Sequence, residues 1–525
     1  MDHPNAHCIP LFGHQRSSRM EITLLLLWIV VGLAVVAYLA HKWKYRSIRV
    51  IPGAKPDYLL LGNIPLLWKK KNVYKNIFRT EYRMSKIWLG PVPVINVQHP
   101  ELVQKVLTEC LDKPFPYDFM ELKFGLLSQR RSSVWREHRK TLSPLFNLKI
   151  LNSFIPVFER ATNDIMERLE KVSDRRDIDM FKYTSHCIAQ MVYGTMVNIE
   201  HDSEEVQHII YELIANLEII LHSIAKRIMN GVYALKILYQ MSAIYREEWR
   251  ARAICYDTVN YAIMIMRMNI LNKPSAPDAA DTNDQSKSKA FVERLLTIQH
   301  KGRSFTDEEI INHAYTMLVA GYETSALQLT NICMMLAMHP EIQEKIVHEI
   351  KAVFPTPDSA VTPETLKDLP YLDMTINETM RLYPVATLIA RQSSSSLELD
   401  GVNIPKGTCF IVNIGEVHRR KDVWGADPLE FNPENFLPER VANRHPYAFI
   451  PLSAGPRNCI GYRYAMISLK IFLIRLLQQY RLSTKLTRKD LKFKFQVTLK
   501  LKIPYTVQIE KRNLYEERAG AGLNI

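Results

Sequence analysis

The sequence predicts a mainly α-helical protein with small β-sheets, tethered by one N-terminal membrane-spanning helix. Three observations predict this. Residues 22–40 form an uncharged apolar run, interrupted in polarity only by Thr23. A second stretch, opening on Thr306-Asp307-Glu308-Glu309 and closing before His339-Pro340, reads as one very long capped helix. Elsewhere the periodicity is mostly helical, and only short strand-like runs appear, at 88–97, 387–394 and 409–414.

At about 1.5 Å per residue, a helix over 22–40 spans roughly 28 Å, close to the hydrocarbon thickness of a bilayer. A cleaved signal core is usually shorter, about 7–15 residues, and Trp28, Tyr38 and Trp43 resemble interfacial anchors instead. Lys42, Lys44, Arg46 and Arg49 follow the run, whereas only Arg16 and Arg19 precede it. The positive-inside rule therefore places the main body in the cytoplasm. Residues 1–19 carry no readable role, 20–41 form the anchor, and 42–56, with Pro52-Gly53 and Pro56, read as a basic, proline-containing hinge.

Net charge is +14, which is compatible with nucleic acid, an anionic membrane or an acidic partner. No nucleic-acid motif is present, so the last two lead. The seven cysteines are scattered, odd in number and without a C-x-x-C pair. That excludes a zinc-ribbon or secreted disulfide framework and points to reduced thiols. The polar run 272–289 has no apolar period and reads as a surface loop.

The long helix begins with a capping box and runs about 33 residues, roughly 50 Å, so it must cross a whole domain. The segment P-L-S-A-G-P-R-N-C-I-G, 451–461, carries the strongest chemical signal. Cys459 sits in a Gly- and Pro-bounded loop just before an apolar helix over 460–477. The positive helix end favours its thiolate, the metal-binding form. Gly455 and Gly461 remove side chains where a flat ligand would press on the backbone. Arg457 suits a carboxylate of that ligand. An isolated cysteine in such a turn is more often an inert core residue.

Three further motifs change that balance: Ala320-Gly321-Tyr322-Glu323-Thr324-Ser325 within the long helix, Glu378-Thr379-Met380-Arg381, and Phe431-Asn432-Pro433-Glu434-Asn435-Phe436. In this order, with G-x-R-x-C-x-G after them, they resemble the cytochrome P450 family over roughly 42–510. The run from Arg444 is similar to insect members of the fourth animal clan.

The resemblance implies the triangular, mainly α cytochrome P450 fold, with a catalytic domain over 57–510 and a flexible tail over 511–525. It implies haem b, with Cys459 as axial ligand to the iron. Arg457, Arg391, Trp135 and Arg139 are the implied partners of the haem propionates, although Arg139 also reads as part of an exposed basic face. Thr324 is the implied hydrogen-bond partner of dioxygen and Glu323 a proton relay. The competing readings are a threonine bonded back to its own helix and a surface glutamate. Glu378 and Arg381 are implied to brace the core. Asn435 stands where the family usually has an arginine, which leaves Arg440 or His445 as substitutes. Leu452 replaces the aromatic that usually shields the thiolate, and Ala320 replaces the glutamate that forms a haem ester in many related chains.

The implied reaction is insertion of one oxygen atom of O₂ into a hydrophobic substrate: fatty-acid-like, terpenoid or hormone, or xenobiotic. Electrons come from NADPH through NADPH-cytochrome P450 reductase, with cytochrome b5 as a second donor, at the endoplasmic reticulum membrane. An isomerase or dehydratase, or a haem protein without turnover, is the alternative. The substrate pocket is expected from the segment after Lys113, the region 205–245 and the long helix.

Overall fold

The computed structural model describes residues 13–53, 62–63, 82–173, 177–197, 204–272, 289–512 and 514–515, with side chains from residue 23. Residues 1–12, the end of the expected hinge, all but the ends of the polar run 272–289, and the chain beyond 515 lie outside the described residues.

One helix, α1 (Gly13–Lys44), contains the whole apolar run. Leu25, Trp28, Leu33, Val36 and Trp43 all stand exposed on it. A helix that is apolar and has no protein against it is suited to lipid. The chain beyond it is not a free hinge over the residues described. Tyr45, Ile48 and Ile51 are buried in one cluster with Ile95, Val97 and Phe410. Lys86 Nζ donates to the carbonyl of Ile48 at 3.0 Å, and His41 Nε2 lies 2.6 Å from the Pro91 carbonyl oxygen. The anchor is thus seated on the domain by apolar burial.

The elements that follow are β1 (Met84–Leu89), β2 (Val92–Val97), α2 (Pro100–Glu109), α3 (Ser132–Leu142), α4 (Ile155–Glu170), α5 (Met180–Val197), α6 (Glu204–Met229) and α7 (Ala243–Leu271). Then come β3 (Gln299–His300), β4 (Arg303–Ser304), α8 (Asp307–Met338), α9 (Pro340–Val353), α10 (Pro370–Leu382), β5 (Leu388–Gln392) and β6 (Cys409–Asn413). The chain closes with α11 (Tyr462–Gln479), β7 (Tyr480–Ser483), β8 (Phe493–Phe495), β9 (Leu499–Leu501) and β10 (Thr506–Lys511).

The strand-like run 88–97 proves to be half of a hairpin. Gly90 supplies a left-handed turn, φ +61°, between β1 and β2. β2 then pairs parallel with β6, and β6 antiparallel with β5, in a sheet ordered β1-β2-β6-β5.

The long helix forms as the sequence predicts. Thr306 Oγ1 accepts the Glu309 N–H and the Glu309 carboxylate accepts the Thr306 N–H at 2.8 Å, a complete capping box. α8 is 32 residues long, about 48 Å. It runs against α5, in which every residue but Lys182 and Tyr183 is buried. A Cβ on Gly321 would stand 3.2 Å from Val192 of α5, so the glycine allows the two helices to approach closely.

The tail is pinned further than the sequence indicates. Lys511 closes β10, Arg512 binds Glu344 through two bonds of 2.7 Å, and Tyr515 donates to the Phe354 carbonyl. α11 also starts two residues later than expected, at Tyr462.

Glu378 and Arg381 form a doubly bonded pair at 2.7 Å, and neither is exposed at all. Arg381 spends its remaining donors on the carbonyls of His418, Pro428 and Glu430. Glu378 Oε1 also accepts the Asn432 N–H and, at 3.1 Å, the Asn435 amide. Asn435 therefore keeps the third place in this network through a neutral bond, and neither Arg440 nor His445 takes it. The nearby cation is Arg444, whose guanidinium lies 3.9 Å over Trp424 and donates to the Asn435 carbonyl.

Removing one partner of a buried ion pair typically costs about 3–5 kcal/mol, because the other charge is left uncompensated. Arg381→Met should lose about that much in chemical denaturation, whereas Asn435→Ala should lose about 1–3 kcal/mol. Equal, small losses from both would contradict the bracing role.

Candidate active site

The Cys459 loop is shaped by backbone geometry. Gly455 has φ +69°, and a Cβ there would lie 2.8 Å from the Leu107 carbonyl oxygen. Its lack of a side chain is needed for the turn and for contact with α2. Gly461 is different: a Cβ there would meet only the Cys459 sulfur, at 3.9 Å. The Cys459 N–H donates to the Leu452 carbonyl at 3.0 Å, and the Asn458 N–H to that of Gly455 at 3.1 Å.

Cys459 lines a cavity of about 700 Å³, together with Arg139, Leu452, Ser453, Asn458 and Ile460 among others. No residue of α8 lines that cavity. The residue has accessible surface, yet protein surrounds the sulfur, so it is reachable while remote from bulk water. Burial raises its pKa, and the Gly461 N–H and the Arg139 charge only partly offset this. In the protein alone the thiol form is favoured, contrary to the thiolate that the helix terminus suggests. A metal ion would displace that proton on binding. Among the described residues, the other cysteines are free; Cys110, Cys187, Cys255 and Cys333 are buried and Cys409 is partly so.

Cations surround the loop. Arg457 lies over the Trp135 ring at 4.5 Å and donates to the Gln129 carbonyl at 2.8 Å. Arg391 donates to the Ala390 carbonyl and to Ser453 Oγ. Both have a buried Nε without a partner. Burial, and then mutual repulsion with Arg391, lowers Arg457 to about 9, so it stays charged at neutral pH. A third cation, Lys113, donates to the Leu127 carbonyl. Burial, Arg391 and Arg457 together hold its pKa well below the usual lysine range.

Among the described residues, no carboxylate lies within ion-pair distance of Lys113, Arg391 or Arg457. Buried, mutually repelling cations with unused donors fit the carboxylates of an anionic ligand such as haem. Lys113 was not predicted as a member of this set. It stands 22 positions before Trp135 in the sequence, and only the fold brings it beside Arg457.

Arg139 is directed elsewhere. It grips the loop itself, donating to the Asn458 carbonyl at 2.9 Å and side-chain oxygen at 3.0 Å. One residue earlier, His138 Nδ1 meets His313 Nε2 of α8 at 2.8 Å. α3 therefore connects the cysteine loop to the long helix.

The middle of α8 is buried, but Met317, Ala320, Gly321 and Thr324 stay partly accessible. Spacings of 3, 4 and 7 place them on one stripe, so that face of α8 is the partly accessible one. Thr324 Oγ1 donates to the Ala320 carbonyl at 2.6 Å, within a continuous helix. The back-bonded form is the one observed, and the Thr324 oxygen keeps its lone pairs for a donor on that face. Glu323 is 4% exposed, which excludes the surface-charge reading. Its Oε1 accepts Thr498 Oγ1, between β8 and β9, at 3.0 Å, and its Oε2 has no partner. Burial raises its pKa above the ordinary carboxylate value.

A reachable cysteine in a braced loop, ringed by buried cations, is the architecture of a haem-thiolate enzyme. The profile of the cytochrome P450 family matches residues 52–509. Cytochrome P450 4c21 of Blattella germanica is 31% identical over 94% of this chain and all of its own length. Cytochrome P450 4V2 of Homo sapiens is 30% identical over 92% of this chain and 93% of its own. Probable cytochrome P450 313a4 of Drosophila melanogaster is 30% identical over 92% and 98%. The chain belongs to the cytochrome P450 family and is a monooxygenase.

His418 ties the brace to the loop. Its Nδ1 donates to the Arg381 carbonyl and its Nε2 accepts the Ile450 N–H at 2.8 Å. Burial first, then the Arg381 charge, lowers its pKa to about 3. Below pH 6.5 the unfolded chain therefore binds a proton that the folded chain refuses, and stability falls with falling pH. The slope approaches about 1.4 kcal/mol per pH unit for this residue. His313, also lowered to about 3, adds to it. Denaturation at pH 7 and pH 5 should show this loss, with a shallower slope in His418→Asn. An unchanged slope would remove His418 from the account.

Proposed function

We propose that this chain is a membrane-anchored monooxygenase of hydrophobic substrates, with haem b held through the Cys459 thiolate. The observation that carries this reading is the Cys459 loop set beside buried cations that lack carboxylate partners among the described residues. Arg457, Arg391 and Lys113 would hold the propionates, with Trp135 stacked against Arg457. Arg139 would act mainly by fixing the Cys459 loop. Gly461 leaves the sulfur free of side-chain contact, and Ala320 offers no carboxylate for an ester to haem. Leu452 keeps the cysteine loop apolar in place of an aromatic.

Haem supplies the activation of dioxygen, one atom of which enters the substrate while the other leaves as water, with two electrons from NADPH. The chain's own contribution is positioning and proton supply. Thr324 Oγ1, fixed by its bond to Ala320, accepts a hydrogen bond on the partly accessible face of α8. Glu323, protonated more readily because it is buried, supplies protons from the other side of the helix. Thr498 Oγ1 holds one of its carboxylate oxygens.

Electrons would arrive through NADPH-cytochrome P450 reductase, or cytochrome b5, at the basic surface of Arg136, Lys140 and Arg463, all exposed near the loop. The apolar α1 supports attachment to the endoplasmic reticulum membrane. The resemblance of the run from Arg444 to the fourth animal clan supports a hydrophobic substrate that is fatty-acid-like, terpenoid or hormone, or xenobiotic.

The reduced, CO-bound protein should show the red-shifted Soret band of a thiolate complex, and Cys459→Ala should abolish it. Persistence of the band in that variant would end the assignment. Thr324→Ala should retain the band but lose at least tenfold in product per NADPH, since positioned proton donors contribute about 10²–10⁴-fold. The missing reducing equivalents should appear as peroxide or water. Turnover that needs no NADPH would point to an isomerase or dehydratase.

A further inference from the structure

A second cluster of ligating side chains lies on the other flank of α3, among residues to which the reaction assigns no role. His138 of α3, His300 of β3 and Glu309 of α8 each present a ligating atom within 4.8 Å of the others. All three are buried, at 3–4% exposure. We propose that His138, His300 and Glu309 form a binding site for a zinc-class divalent cation, which links α3, the β3–β4 hairpin and the start of α8.

The hydrogen bonding supports ligation by both imidazoles. His138 Nδ1 is engaged by His313 Nε2, and His300 Nδ1 by Thr141 Oγ1 at 2.8 Å. Nε2 of each ring is then the nitrogen left for a metal. A ligating histidine characteristically has its other nitrogen held in this way, which fixes its tautomer and orientation. His138 Nε2 faces Glu309 Oε1 at 3.7 Å, too far for a hydrogen bond and consistent with two atoms sharing an ion. With His138 ligating through Nε2, its Nδ1–H donates to His313 Nε2, and the proton of His313 then sits on Nδ1, which is buried without a partner.

Burial lowers the pKa of all three histidines, and the neutral imidazole is the form that ligates. Phe124 and Phe305 stack on His138 and close the site to water. The opposing feature is Arg303, which makes two bonds to Glu309 at 2.8 and 2.9 Å. Arg303 is half-exposed, whereas Glu309 is not, so the arginine is the partner able to move outward when an ion arrives. Two imidazoles, one carboxylate and an open fourth place suit zinc better than calcium or magnesium.

The test uses the full-length, haem-loaded protein, equilibrated with zinc and desalted, with zinc and iron measured separately. One zinc per chain should be retained, and EDTA should remove it while iron stays. His300→Gln and Glu309→Gln should each weaken zinc binding at least tenfold while leaving the haem spectrum intact. Zinc-edge X-ray absorption should show two imidazoles and one or two oxygens at about 2.0–2.2 Å. Absence of retained zinc, or a ligand shell without two imidazoles, would overturn the proposal, and the wild-type spectrum decides the matter even if a variant fails to fold. None of these readouts requires that Cys459 or Thr324 act as proposed.

Discussion

The buried pair of Glu378 and Arg381 is the interaction on which the site depends. A guanidinium with no solvent exposure must have all its donors satisfied, or folding is opposed by several kcal/mol. Arg381 satisfies them with one carboxylate and three backbone carbonyls, from His418, Pro428 and Glu430. Those carbonyls belong to chain that has little regular structure of its own. The charge thus fixes the path of an irregular segment, and His418 carries that order to Ile450, just before the cysteine loop. The loop needs no helix or strand of its own, because its position is inherited from α10.

A second constraint comes from α3. This short helix has polar and basic residues on its outer face and buries Trp135, His138 and Leu142. Trp135 supports the Arg457 guanidinium, Arg139 grips Asn458, and His138 meets α8. Within four positions, His138, Arg139 and Thr141 reach three separate parts of the fold: α8, the cysteine loop and β3. Displacement of α3 would therefore move the cysteine loop and the long helix together, which couples the two faces of the proposed haem pocket.

Much of this was legible in the sequence, and the remainder was not for identifiable reasons. The α8 boundaries follow from Thr306, Glu309 and Pro340, whose effects are local. The apolar run gave the long exposed helix α1, because lipid demands a composition that no surface helix needs. The ion pair was readable from its three-residue spacing, but its total burial was not. Lys113 and Arg444 were missed, since each acts through neighbours distant in sequence. At Gly455 a further reason was out of reach: the Leu107 carbonyl that excludes a side chain there lies over 340 positions away. Tyr45, Ile48 and Ile51 alternate with charged residues, so a solvated hinge was the natural reading until the sheet was seen to cover them.

The electrostatics of the proposed haem pocket bear on what it would select. Lys113, Arg391 and Arg457 repel one another at close quarters, and Cys459 holds its proton because burial penalises the thiolate. Separately, each is an unfavourable arrangement. An anionic macrocycle bearing carboxylates and a metal cation would address both at once, because the carboxylates meet the cations while the metal stabilises the thiolate. Any ligand that binds only the folded state adds its binding free energy to stability. These residues would therefore make the site selective: a neutral apolar molecule of the same shape would meet neither the cations nor the thiol.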